Sequence, residues 1–100
     1  MSMPEFKQTW SSLATSGGQS AIHSAEAIES VWYFQASSGV STATVRVQSA
    51  LSSGGPWFDD ASNTALTSGT LGVLRVTGPF AWVRPWANST GITIRAVGVS

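Results

Sequence analysis

The stretch Ala43-Thr44-Val45-Arg46-Val47-Gln48 decides the fold, because its side chains alternate between apolar and polar at every position. Successive side chains of a β-strand point to opposite faces of the sheet, so three apolar side chains share one face and three polar ones share the other. We therefore predict a half-buried strand here. The turn signal Ser52-Ser53-Gly54-Gly55-Pro56 follows it.

Comparable strand signals recur outward from this stretch, separated by turn residues at intervals of about ten residues. Strands are predicted over residues 30–37, 70–77, 80–87 and 92–97. In the first of them, Trp32, Tyr33 and Phe34 should divide between the core and the opposite face. This spacing predicts an all-β fold, either an antiparallel β-sandwich or a jelly-roll-like barrel. Pro85 lacks a backbone donor, which predicts a sheet edge or a bulge at that point.

Residues 1–19 are predicted to form an extended N-terminal arm, and residues 20–100 a single β-sandwich domain. The arm carries Phe6, Trp10 and Leu13, and a glycine-containing connector, Thr15-Ser16-Gly17-Gly18, follows them. A helix would align the three apolar side chains in one stripe, but so short a helix needs a docking surface. That surface is either the same domain or another molecule. We favour another molecule, with Trp10 as the anchor.

The charge distribution excludes several classes of partner. Net charge is zero, and the four arginines lie far apart, so the basic patch of a nucleic-acid-binding protein is missing. No apolar run approaches the roughly 20 residues of a membrane helix, and the N-terminus lacks a signal-peptide pattern, so we expect synthesis in the host cytoplasm and no membrane partner. A neutral surface with five tryptophans predicts a homo-oligomer or an embedded subunit.

Catalytic chemistry is poorly represented in the sequence. His23 is the only histidine, and no Gly-x-Ser-x-Gly elbow accompanies it, so a serine triad is not expected. Asp59 and Asp60 follow a Gly-Pro turn, where carboxylates commonly accept hydrogen bonds from nearby backbone donors. We predict no enzymatic activity, no catalytic residue, no metal site and no cofactor.

The aromatic side chains are the remaining candidates for function. In a regular strand, Phe80, Trp82 and Trp86 share one face with Arg84, whose guanidinium could lie over an indole. This row could fill the core, form a subunit interface or present a ligand platform. Trp57, beside a turn, should be the most exposed aromatic residue. Seven residues are therefore candidates for contact with another molecule: Phe6, Trp10, Leu13, Trp57, Trp82, Arg84 and Trp86.

From Val31 to Val99, the order of features resembles small β-sandwich virion structural proteins of tailed bacteriophages. Three stretches carry the resemblance: VRVQSALSSGGPW (45–57), GPFAWVR (78–84) and GITI (91–94). The resemblance implies a protein without an active site that assembles symmetrically on the capsid or tail, often as a trimer. The expected role is a capsid decoration, or cement, protein located in the virion, with the major capsid protein or another virion protein as its partner.

The aromatic residues also allow a second function. If Trp57, Trp82 and Trp86 are exposed, they could form a stacking platform for sugar rings. The chain would then be a carbohydrate- or receptor-binding module of a phage tail.

Overall fold

The computed structural model describes residues 5–23, 29–77 and 81–99, and its regular elements in these ranges are β-strands. Within the same ranges no helix is long and apolar enough to cross a membrane. The strands are β1 (Glu5–Trp10), β2 (Gly17–Gly18), β3 (Ile22–His23), β4 (Glu29–Ala36), β5 (Thr42–Ala50), β6 (Phe58–Thr67), β7 (Leu71–Thr77), β8 (Trp82–Ala87) and β9 (Ile92–Val99).

The strands form two antiparallel sheets. The four-stranded sheet has the order β1-β9-β4-β7, and the five-stranded sheet has the order β2-β8-β5-β6, with β3 also pairing with β8. If β2 and β3 are taken as two halves of one interrupted strand, this is the eight-strand arrangement of a jelly roll. The predicted all-β sandwich with jelly-roll-like character is therefore confirmed.

The core lies between the two sheets and follows the alternation seen in the sequence. Val45 and Val47 are fully buried on the inner face of β5, as predicted. Trp32 and Phe34 are fully buried on β4, whereas Tyr33 between them faces solvent, so the predicted division of these aromatic residues is confirmed. Burial of the Trp32 indole leaves no unsatisfied donor, because Nε1 donates to Ser30 Oγ at 3.0 Å.

Pro85 lies in β8 at a point where the neighbouring strand is interrupted. On one side it is opposite Val47 of β5, and on the other side it faces the gap between β2 and β3. The Pro85 carbonyl accepts a hydrogen bond from Gln19 N–H at 3.0 Å. Because the N–H and C=O of one residue in an antiparallel strand point to the same side, the N–H that proline lacks would also have pointed into this gap. The ladder with β5 consequently loses no hydrogen bond, and the predicted irregularity occurs in the neighbouring strand instead of in β8.

The structure differs from the prediction of a separate N-terminal arm over its described part, residues 5–19. Residues 5–10 form β1, which pairs along its whole length with residues 94–99 of β9, and residues 17–18 form β2. Leu13 joins β9 through two backbone hydrogen bonds of 2.9 Å, from its N–H to Ile92 O and from Gly91 N–H to its own carbonyl. The domain therefore includes this segment, and no boundary separates residues 19 and 20.

The three apolar residues of the predicted arm lie in or against the domain's own core. Trp10 is 8% exposed and stacks on Trp32 with ring centroids 5.6 Å apart. Its Nε1 donates to Ser20 Oγ at 3.0 Å. Leu13 is buried, and Phe6 packs against the core with its ring 6.3 Å from that of Trp32. Because their apolar surfaces are covered within the domain, Phe6, Trp10 and Leu13 are not available as a tether to another molecule.

Replacement of Trp10 tests this placement. We expect Trp10→Ala to lower the free energy of unfolding by about 3–5 kcal/mol, because it removes a buried indole and leaves a cavity beside Trp32. Urea unfolding measures the difference. Lys7→Ala, an exposed position in the same strand, is the control and should cost less than about 0.5 kcal/mol. Equal stabilities of Trp10→Ala and the unmodified protein would contradict the burial of this residue in the core.

Candidate interaction face

The outer face of the five-stranded sheet carries the two tryptophans and the arginine of β8 that the sequence predicted to share one face. Along β8, buried and half-buried residues alternate. The inward-pointing residues are Val83, Pro85 and Ala87. The outward-pointing residues are Trp82, Arg84 and Trp86. The predicted shared face is confirmed for these three, and the core interpretation of the row is wrong. Phe80, the fourth predicted member, lies outside the described residues.

Gln48 connects this row to β6 through two hydrogen bonds. It is opposite Arg84 on one side and Asp59 on the other. Arg84 Nε–H donates to Gln48 Oε1 at 2.8 Å, and Gln48 Nε2 donates to Asp59 Oδ1 at 2.9 Å. Gln48 is only 8% exposed, so these bonds satisfy amide groups that would be costly to bury unpaired. The orientation of the Gln48 amide is thereby fixed by both neighbours.

Two guanidinium groups, one at each end of this chain of side chains, cover tryptophan rings. Arg84 lies over Trp57, with Cζ 4.3 Å from the ring centroid. Arg46 lies over Trp86 at 4.4 Å, and its Nε is 4.0 Å from Asp59 Oδ2. Both separations are within the range of cation–π attraction. The result is a continuous chain of side chains from one indole to the other.

We call this surface the tryptophan–arginine face and define it by seven residues: Arg46, Gln48, Trp57, Asp59, Trp82, Arg84 and Trp86. Trp57 is half-buried because the guanidinium covers it, so the prediction that it is the most exposed aromatic residue is wrong. The neighbouring Phe58 is 64% exposed. His23 approaches the face from β3, where its ring meets Trp82 edge-on at 5.4 Å.

The charges of the face are partly desolvated by the packing of the rings. Burial lowers the pKa of Arg84 from its ordinary value, although a guanidinium stays protonated at any physiological pH. Near the face, burial raises the pKa of Asp60, repulsion from Asp59 raises it further, and a hydrogen bond with the Ser49 side chain opposes both effects. Two arginines and one carboxylate of the face leave it with a net positive charge.

Gly18 leaves room for the Arg84 side chain to lie flat. A Cβ atom built on Gly18 would be 2.3 Å from Arg84 Cζ and 2.6 Å from one terminal guanidinium nitrogen. Any larger residue at this position would therefore displace the guanidinium from its present place. The short strand β2 thus contributes to the face by presenting no side chain.

Within the described residues, no three His, Cys, Asp or Glu side chains come together to form a metal site. The arrangement of side chains on the face is suited to holding flat rings and hydrogen-bonding groups in fixed positions. It offers a surface for binding, with aromatic, donor and acceptor groups side by side.

No family model and no curated protein matches the chain. Among solved structures, it is similar to the prophage-derived protein YomS of SPBc2, with a TM-score of 0.62, 9% identity, and 100% and 98% of the two chains covered. A Bacillus endospore appendage pilus protein gives a TM-score of 0.55 at 15% identity, covering 98% of this chain and 87% of that one. PirA gives a TM-score of 0.54 at 14% identity, covering 100% and 96%.

The likeness lies in the fold. The structural neighbours thus include a prophage-derived protein and a pilus protein, each matched over nearly the whole length of this chain. The pili of the second are described as disulfide-linked, whereas this chain has no cysteine and cannot form such a link.

The close approach of Gly18 to Arg84 gives a testable prediction. We expect Gly18→Ala to displace the guanidinium, break its hydrogen bond to Gln48 and lower stability by about 1 kcal/mol. The Nε–H resonance of Arg84 in an NMR spectrum should then move towards that of a solvated arginine. Gly39→Ala is the matched control, because a Cβ there meets nothing within 4 Å. An unchanged Arg84 resonance in the Gly18→Ala protein would contradict the described packing.

Proposed function

We propose that this chain is a non-enzymatic structural protein of a bacteriophage virion, specifically a capsid decoration protein that attaches to the head through its tryptophan–arginine face. The observation that carries the proposal is the hydrogen-bonded chain Arg84–Gln48–Asp59 on the outer face of the sheet. This chain holds the Arg84 guanidinium against the indole of Trp57. The resemblance of the sequence to small virion β-sandwich proteins supplies the setting.

The composition of the face supports a role in attachment to another protein. Tryptophan and arginine are the residues most enriched among those that dominate protein–protein binding energy. Trp82 and Trp86 are half-buried on the sheet, so part of each ring is still open to a partner. Burying that remaining apolar area against a capsid subunit would add to the cohesion of the head.

The rigidity of the face supports the same role. A long arginine side chain loses about 2 kcal/mol of conformational freedom when it is held in one position. Arg84 and Arg46 are already held by stacking and by contacts with Gln48 and Asp59, so much of that cost is met before the partner binds. A preorganised surface of this kind suits a subunit that must bind many equivalent sites.

The first experiment measures attachment to particles. Phage heads assembled without this protein are mixed with purified protein, and bound protein is quantified after sedimentation. We expect Trp86→Ala and Arg84→Ala each to weaken binding by at least about 30-fold, which is the effect of losing about 2 kcal/mol at a central contact. Thr64→Ala, exposed on β6 outside the face, is the control and should bind normally.

Thermal unfolding of each variant separates attachment from folding. Full binding by both variants would reject the tryptophan–arginine face as the attachment surface. Failure of the unmodified protein to bind heads, together with its absence from the capsid exterior in an electron-microscopy reconstruction of the particle, would reject the decoration role itself.

A second function, as a carbohydrate- or receptor-binding module of a phage tail, is favoured by one specific observation. The half-buried rings of Trp57 and Trp86 lie at the two ends of a chain of hydrogen-bonding side chains. Sugar-binding surfaces combine flat aromatic rings with fixed polar groups in this way. We expect any glycan bound on an array to be lost with Trp57→Ala and retained with Thr64→Ala. Binding that survives Trp57→Ala would contradict this second function.

A further inference from the structure

A second exposed surface lies on the outer face of the four-stranded sheet. Five apolar side chains form a diagonal band across β7, β4 and β9, in which Tyr33 is opposite Val73 and Val31 is opposite Val97. Leu71, at the end of the band, is 56% exposed. We call this surface the apolar band and define it by Val31, Tyr33, Leu71, Val73 and Val97. A contiguous apolar surface of this kind marks an interaction site more often than isolated apolar residues do.

Basic side chains border the apolar band. Lys7, Arg75 and Arg95 are exposed on the same side of the sheet, with Arg95 opposite Tyr33 and Arg75 opposite Val31. The acidic residues at positions of the same face are Glu29, whose carboxylate is 3.7 Å from Arg75, and Glu5, two residues before Lys7 in β1. The border therefore has an excess of positive charge, which favours a partner that is apolar at its centre and acidic beside it.

The hairpin of β5 and β6 has that composition where its connection meets β6. Leu51 is 90% exposed and Phe58 is 64% exposed, the two highest values among the large apolar residues described. Phe58 is opposite Ser49, and the Asp60 carboxylate is hydrogen-bonded to the Ser49 side chain. Asp59 lies between Phe58 and Asp60 in the sequence. We call Leu51, Phe58 and Asp60 the hairpin tip.

We propose that the hairpin tip of one copy docks on the apolar band of a second copy. Leu51 and Phe58 would cover the band, and the Asp60 carboxylate would lie near Arg95 on its border. Zero net charge leaves little overall repulsion between copies. This contact uses neither Trp86 nor Arg84, so it goes beyond the attachment proposed above and is independent of the virion setting.

The two surfaces are different parts of the molecule, and this determines the kind of assembly. The tip is at one end of the five-stranded sheet, whereas the band is on the other sheet. A contact between unlike surfaces is heterologous, and it closes into a ring, such as a trimer, when the rotation between neighbours allows closure. A two-fold dimer that used the band against itself would be a different, isologous arrangement.

Complementation between two variants tests the contact. Phe58→Ser removes the aromatic side chain of the hairpin tip, and Val73→Lys places a charge in the apolar band. Each variant should therefore remain a 10.4 kDa monomer in sedimentation velocity. The unmodified protein should form a larger species. An equimolar mixture should form a dimer, because the intact tip of Val73→Lys meets the intact band of Phe58→Ser. Thr64→Ala, outside both surfaces, is the control and should assemble normally.

Several outcomes would overturn the proposal. They are a monomeric unmodified protein at all accessible concentrations, assembly by either variant alone, and a mixture that stays monomeric. If Phe58→Ser fails to melt cooperatively, Leu51→Ser replaces it as the tip variant, because its nearly complete exposure leaves the fold little affected. In addition, Asp60→Lys should weaken assembly and Arg95→Glu in the same chain should restore it. Loss of assembly with normal particle attachment by the same variants would separate this contact from the tryptophan–arginine face.

Discussion

The register that β5 keeps with its two neighbours is the constraint on which both the core and the tryptophan–arginine face depend. Because side chains alternate along a strand, a slip of one residue would turn Val47 towards solvent and Gln48 into the core. The extra residue Asp60 is accommodated by a bulge opposite β5, where the pairing shifts from Val47–Ala61 to Gln48–Asp59. That bulge keeps Asp59 beside Gln48 and turns Asp60 towards Ser49. One irregularity in β6 therefore sets the position of two carboxylates with different surroundings.

The cohesion of the tryptophan–arginine face comes more from short hydrogen bonds than from ion pairs. The bonds of Gln48 to its neighbours are 2.8 and 2.9 Å long, whereas Arg46 and Asp59 are 4.0 Å apart and partly exposed. An exposed ion pair of that length contributes little to stability, and salt screens it. Salt has much less effect on the hydrogen bonds of a buried amide. The shape of the face should therefore persist across a wide range of ionic strength.

The sequence predicts the sheets better than it predicts the contacts between strands, for reasons visible at particular residues. Alternation in β5 and β8 marks the inner and outer faces directly. Phe6 and Trp10 are four residues apart, which places them on one face of a helix and equally on one face of a strand, so spacing alone left β1 unrecognised. Leu13 follows a bend in which Ser12 has a positive φ of 41°. The partner of Arg84 could not be predicted either, because Trp57 lies in the irregular connection just before β6 and is distant from Arg84 in the sequence. Alternation along β8 gives no information about contacts of that kind.

The pairing of β1 with β9 has a mechanical consequence. Glu5 is directly opposite Val99, so the two ends of the described chain leave the sandwich at the same place. A pull applied to those ends would separate the two strands one hydrogen-bonded pair at a time, because each pair would carry the load alone before the next one is reached. An antiparallel pair loaded in this way opens like a zipper instead of resisting as a unit. Tension in an assembly of such subunits is better transmitted through the broad faces of the sandwich, where many contacts share the force.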